Sequence, residues 1–131
     1  MGAKMSKTTN ALNWFEIPVT DMPRAQKFYE AIFDIQMTIV EMPGAKMCFF
    51  PPDGSNSSVG GALVEGPNHK PNASGCIIYL NANPDLQLVL DRVIKLGGKV
   101  TVPKMNIGEN HGFMAFFMDT EGNTVGLHSN E

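Results

Sequence analysis

The stretch Glu16–Phe33, EIPVTDMPRAQKFYEAIF, decides the fold. It begins as a strand and continues as a helix. Asp21 is a good N-cap, because its short side-chain oxygen can accept from backbone N–H groups that have no partner in the first helical turn. Pro23 suits that turn, where a missing N–H costs little. Beyond it, Ala25, Phe28, Tyr29 and Ile32 fall at i, i+3, i+4 and i+7, which gives a helix one apolar face. Before it, Phe15, Ile17 and Val19 alternate with Trp14, Glu16 and Pro18. The apolar set should face the helix, and Trp14 and Glu16 should point the other way.

The same signal recurs. Asn83 followed by Pro84 reads as a second helix start, and Leu86, Val89, Leu90 and Val93 repeat the stripe. Gly97 and Gly98 then stop it, as glycine commonly does past a helix end. Helices are predicted at about 21–33 and 84–96. LNWFEIPV precedes the first and GCIIYLNA the second. Three strand-like runs follow each: MTIVEM, AKMCFF and GGALVE, then KVTVPK, GFMAFFM and TVGLHS. The chain reads βαβββ twice.

The expected class is α+β: two βαβββ modules forming a curved mixed sheet with both helices on its convex face. Residues 1–10 read as a flexible leader and 11–131 as one domain. Module one covers about 11–66, a Pro-, Asn- and Gly-rich linker about 66–74, and module two about 75–130. A step of 62 positions carries Asp21 to Asn83 and Trp14 to Cys76. On that step Cys76, Ile78 and Leu80 share the concave face with Trp14 and Glu16. In the last strand Thr124, Gly126 and His128 fall there.

Bulk composition narrows the function. The 131 residues are 43% hydrophobic and 18% charged, a globular balance. A net charge of −3 gives no electrostatic reason to expect nucleic acid. No apolar run approaches bilayer length, and the polar N-terminal segment has no signal-peptide core, so no membrane partner and a cytoplasmic location are expected. Met1-Gly2 through Ser6 match the myristoylation pattern, but nothing nearby supplies a second anchor. Cys48 and Cys76 are too few for a disulfide framework.

With the helix pattern Val19-x-Asp21-x-x-x-Ala25-x-x-Phe28-Tyr29 and the turn Asp119-x-Glu121-Gly122-Asn123, the paired modules resemble the vicinal oxygen chelate superfamily. That group includes glyoxalase I, the bleomycin resistance proteins and the extradiol dioxygenases. The resemblance covers about residues 10–130, and its motifs are caps, helix faces and turns that identify a fold and not a reaction. In metal-dependent members the ligands come from the first, fourth, fifth and eighth strands. The resemblance places those positions at Trp14, near Val64, at Cys76 and at Gly126. Trp14, Val64 and Gly126 have no ligating side chain, and a lone thiol such as Cys76 is more often a small core residue. No metal or other cofactor is therefore expected, with a displaced divalent metal as the alternative.

The expected site is one concave cavity lined by Trp14, Glu16, Cys76, Gly126 and His128. Trp14, the only tryptophan, would be its aromatic wall, and Gly126 would open space opposite. Glu16 beside the indole would act as a general acid or base, or else sit partly solvated at the rim, paired with a basic group. His128 would join Glu16 in an acid–base pair or displaced metal site, though a histidine at a strand end more often hydrogen-bonds backbone. His111 lies in a loop able to cover the cavity, and His69 in the linker carries no signal. Two functions follow. One is a metal-free binding protein for a small apolar or aromatic molecule. The other is a glyoxalase-type lyase, isomerase or dioxygenase using Glu16 as base or a displaced metal. The resemblance further implies a homodimer.

Overall fold

A computed structural model describes residues 5–131. Residues 1–4, which hold most of the myristoylation pattern and the first part of the leader, lie outside the described residues. In chain order the elements are β1 (Trp14–Pro18), α1 (Met22–Phe33), β2 (Thr38–Met42), β3 (Ala45–Phe49), β4 (Gly60–Glu65), β5 (Tyr79–Asn81), α2 (Leu86–Lys95), β6 (Lys99–Asn106), β7 (Phe113–Met118) and β8 (Thr124–Ser129). This is βαβββ twice. Hydrogen bonding groups the strands into two four-stranded sheets of identical order, β1-β4-β3-β2 and β5-β8-β7-β6. In each, the first strand pairs parallel with the fourth and the other pairs are antiparallel. Among the described residues no helix is long and apolar enough to cross a membrane.

Both helices form for the reasons their sequences give. The Asp21 carboxylate accepts from the Arg24 N–H at 3.1 Å, and Met22, Ala25, Phe28, Tyr29 and Ile32 are buried. In α2 the stripe Leu86, Val89, Leu90 and Val93 is buried, and Gly97 follows the helix at φ +98, a conformation that favours glycine. The N-cap of α2 is Asp85 and not Asn83: Asp85 accepts from the Gln87 N–H at 2.9 Å.

That difference flips a strand. The Val19 N–H donates to Val64 O, and the matching bond in module two runs from Ala82 to His128 O, both at 2.9 Å. Val19 and Ala82 are 63 positions apart, whereas Asp21 and Asp85 are 64 apart. Module two has one more residue than module one between strand and cap. The uniform step of 62 is therefore short by one in β5, and a slip of one residue turns every side chain to the other face. Leu80 is buried in the core with Ile78 packed beside it, while Tyr79 and Ile77 are exposed on the outer side. Cys76 precedes β5, is exposed, and does not belong to the outer set.

The inner faces of the two sheets share one core with both helix stripes. Ile17, Val19, Cys48 and Leu63 of module one pack in the same cluster as Leu80, Ala115, Phe117, Val125 and Leu127 of module two. In β7 it is Ala115 and Phe117 that face inward, which leaves Met114, Phe116 and Met118 outside.

The Asp119–Asn123 turn fastens module two to the entry of α1. Tyr29 Oη donates to Asp119 Oδ2 at 2.8 Å, and burial first, then the neighbouring carboxylate, holds the Tyr29 hydroxyl well above its ordinary pKa. Asn123 Nδ2 donates to Pro18 O at 2.8 Å. Glu121, whose side chain is fully covered, accepts from the Thr20 N–H (2.9 Å), the Asp21 N–H (3.0 Å) and Arg24 Nε (2.7 Å). Burial alone would push its carboxyl up. The bonds from Arg24, Thr20, Asp21 and Thr120 outweigh it and bring the pKa down to about 2.

A carboxyl depressed in the folded state stabilises the fold above its ordinary value of 4.5 and loses that contribution as pH falls towards about 2. Glu121→Gln should lower the unfolding free energy at pH 7 by about 2 kcal/mol, since it weakens buried charge-assisted bonds. In urea titrations the gap between wild type and variant should narrow as pH falls from 4.5 to 2. Equal midpoints at pH 7 would show that this contact contributes nothing.

Candidate functional site

The outer face of the first sheet is built by alternation in β1, β3 and β4. Met47, Ala62 and Val64 form its buried floor. Trp14 meets Phe49 edge-on, with ring centroids 5.4 Å apart at 79°, and remains 40% exposed. Trp14 Nε1 donates to Glu16 Oε2 at 3.3 Å. The other carboxylate oxygen of Glu16 lies 2.8 Å from His69 Nε2. His69 is brought there by a tight bend in the linker, where its N–H donates to Gly66 O at 3.1 Å. Glu16 is thus the rim carboxylate paired with a basic group, with its side chain 37% exposed. A carboxylate and an imidazole at this distance can share and pass a proton.

The outer face of the second sheet is built by β5, β8 and β7. Tyr79 pairs with Gly126, Gly126 with Phe116, and His128 with Met114. Gly126 does not open space. The Tyr79 ring lies over it, so that a Cβ built at 126 would sit 2.7 Å from Tyr79 Cδ2. Phe116 packs against that ring at 5.8 Å. Next to them Tyr79, Met105, Ile107, Met114 and His128 line a cavity of about 440 Å³. His128 Nε2 bonds to His111 O at 2.7 Å, so the loop reaches the site through backbone and not through the His111 ring. Gly112 permits this approach, since a Cβ there would lie 3.2 Å from His128 Nε2 and collide with Ser129 O.

Each outer face is turned away from the shared core. The structure therefore brings Trp14 and Glu16 together with His69, and Gly126 and His128 together with Tyr79, in two places. It does not join Trp14, Glu16, Cys76, Gly126 and His128 in one cavity. Cys76 falls out through the register change, and Cys48 is a buried core residue whose thiol burial pushes up to about 11, with the Glu30 carboxylate adding to it. Sequence reasoning missed His69, whose partner is 53 positions away, and Tyr79, hidden by the slip in β5. Met37 and Met47 are buried, whereas Met105 and Met114 line the cavity.

The residues present do not fit the metal of metal-dependent relatives. Trp14, Val64 and Gly126 offer no ligating atom. Among the described residues no group of three or more His, Cys, Asp or Glu could hold an ion. Glu16 and His69 supply two donors, and His128 belongs to the other sheet.

The family described as the glyoxalase/bleomycin resistance protein/dioxygenase superfamily matches residues 11–127. A glyoxylase-like domain-containing protein of Didymella fabae is 33% identical over 119 residues, covering 86% of this chain and 88% of that one. Among solved structures, a glyoxylase/bleomycin resistance protein/dioxygenase domain from Frankia sp. EAN1pec aligns with a TM-score of 0.71 at 14% identity, over 95% of this chain and all of that one. TnmS3, an antibiotic binding protein from Streptomyces sp. CB03234, aligns at 0.66 and 21% identity, over 96% and 100%. The duplicated β1-β4-β3-β2 sheet order, the Asp21-capped helix and the Asp119–Asn123 turn agree with that match, and the chain belongs to the glyoxalase/bleomycin resistance protein/dioxygenase superfamily.

Proposed function

We propose that this protein binds a small apolar or aromatic molecule on its outer sheet faces without a metal. The observation that carries the reading is the cavity of about 440 Å³ at the second sheet, where Tyr79, Met105, Ile107 and Met114 surround one polar group, His128. An apolar lining with few polar groups is the usual make-up of a small-molecule site. Methionine adapts its shape to a ligand, and a tyrosine ring offers a stacking surface. Tyr79 and Met105 are about half exposed, as is Met42 on the outer side of the first sheet's edge strand, which is more apolar surface than a lone chain gains from. A second copy would cover it, setting the Trp14–Glu16–His69 face of one protomer against the Tyr79–His128 face of the other. The shared fold of an antibiotic binding protein supports a binding role. The exposed free thiol of Cys76 suits a reducing compartment such as the cytoplasm.

The Glu16–His69 contact at 2.8 Å favours a second reading, a lyase or isomerase in which this pair moves a proton of the bound molecule. The two readings separate on Glu16→Gln. A binding protein keeps its affinity for a neutral ligand within about twofold, whereas an enzyme keeps binding and loses turnover by about 100-fold or more.

Titration with a neutral planar aromatic such as naphthol should shift the Met105 and Met114 methyl resonances. Tyr79→Ala should weaken that binding about tenfold, the scale of one lost aromatic contact. Saturable binding that leaves both methyls unmoved would refute the site. Elemental analysis should find well under one divalent metal per chain, and one tightly held ion per chain would refute the metal-free reading. Light scattering should give twice the chain mass of 14.3 kDa.

A further inference from the structure

On the helix side of β1, away from both outer faces, a cleft of about 420 Å³ opens between the modules. Its apolar wall comes from module one. Phe15 and Phe50 pack with centroids 5.3 Å apart, and Phe33 and Ile35 close the end. Gly61 makes room for this wall. The Phe15 ring lies where a Cβ of residue 61 would stand, so the ring rests flat on β4. The facing wall is α2. Asp85, Leu88, Val89 and Arg92 fall at i, i+3, i+4 and i+7, and all four line the cleft.

The two charged groups differ in what they have left to offer. Asp85 caps α2 through the Gln87 N–H and holds Lys104 Nζ at 2.8 Å, so its charge is matched. Arg92 stands about two turns further along, on the order of 10 Å away. Its Nη1 donates to Ile32 O at 3.1 Å, which holds the guanidinium at the mouth. Among the described residues it has no carboxylate within ion-pair distance. A guanidinium has five N–H donors in a fixed fork, and this bond uses one. An apolar cleft with an uncompensated fork at one end suits a carboxylate on an apolar body. At the other end Asp85 already occupies Lys104, so among the described residues no free cation is offered there to a second carboxylate.

We infer that this cleft is a second ligand site, which takes an apolar monocarboxylic acid with its carboxylate on Arg92 and its body between Phe15, Phe50 and Leu88. It is separate from the sheet-face site, and neither depends on the other. Naphthoate and its neutral counterpart naphthamide test it, followed by calorimetry and by Leu, Val and Met methyl resonances of the full chain. Naphthoate should bind saturably, shift the Leu88, Val89 and Val59 methyls, and bind about tenfold or more tighter than naphthamide. Arg92→Gln should remove that preference and leave naphthamide affinity within about twofold, while Lys95→Gln, an exposed change on the same helix, should preserve it. Val59→Trp should block both probes by filling the cleft, with the circular dichroism spectrum unchanged. Equal affinity for the two probes, an unaltered preference in Arg92→Gln, shifts confined to Met105 and Met114, or no saturable binding of naphthoate would each overturn the assignment.

Discussion

The Glu121 carboxylate holds this structure in register. It belongs to the second module, yet its oxygens bind the backbone N–H groups of Thr20 and Asp21 and the side chain of Arg24 in the first. Those N–H groups stand at the start of α1, where a helix has donors without partners and a partial positive charge. An anion from the far half of the chain thus completes the first turn of a helix in the near half. Asp119 and Asn123 flank it and tie the same turn to Tyr29 and Pro18. Because the turn sits between β7 and β8, fixing it to α1 fixes how the second sheet lies against the shared core. The inner faces are set by that docking, and the outer faces are left clear of the core.

Much of the fold was legible because each device in it is local. A cap, a stripe and a turn each announce themselves within a few residues, and the order of eight strands and two helices follows those signals, with the cap of α2 two residues later than its signal. The turn Asp119–Asn123 was visible as a motif, but its partner was not, since the contact with Thr20 spans 101 positions. Side-chain facing was legible only where a strand runs straight into its cap without a change in length. That condition holds for β1. It fails for β5, where the segment Ala82–Asp85 is one residue longer than Val19–Asp21, and parity is lost with a single residue.

The candidate site shows the same division. Alternation placed Trp14 and Glu16 on the outer side, yet it had no means of finding His69, whose approach depends on how the linker bends after β4. Position 126 was recognisable as a ligand position filled by glycine. What fills the resulting space is a ring from the neighbouring parallel strand, and choosing between Tyr79 and Ile78 for that role needs the register. Within one chain the two outer faces do not form one cavity, and the reason is topological. Two sheets that share a core across their inner faces cannot also face each other across their outer ones.

The two halves have the same topology and different surfaces, and the difference can be traced to two glycines. In module one Phe15 pairs with Gly61, and its ring lies on the inner side of the sheet. In module two Tyr79 pairs with Gly126, and its ring lies on the outer side. Matching the strands through Val19 and Ala82, the residue equivalent to Tyr79 is Glu16, and its partner in β4 is Ala62. The aromatic–glycine pair has thus moved by one residue between the modules, and one residue is one face. A ring that lies flat on a glycine fills little depth and leaves a broad apolar floor. On the inner side that floor becomes a wall of the cleft between the modules, where Arg92 stands. On the outer side it becomes part of the methionine-lined surface beside His128. A duplicated βαβββ unit thereby acquires two chemically distinct recesses without any change in strand order, because the choice of face is made by the parity of one pair of residues.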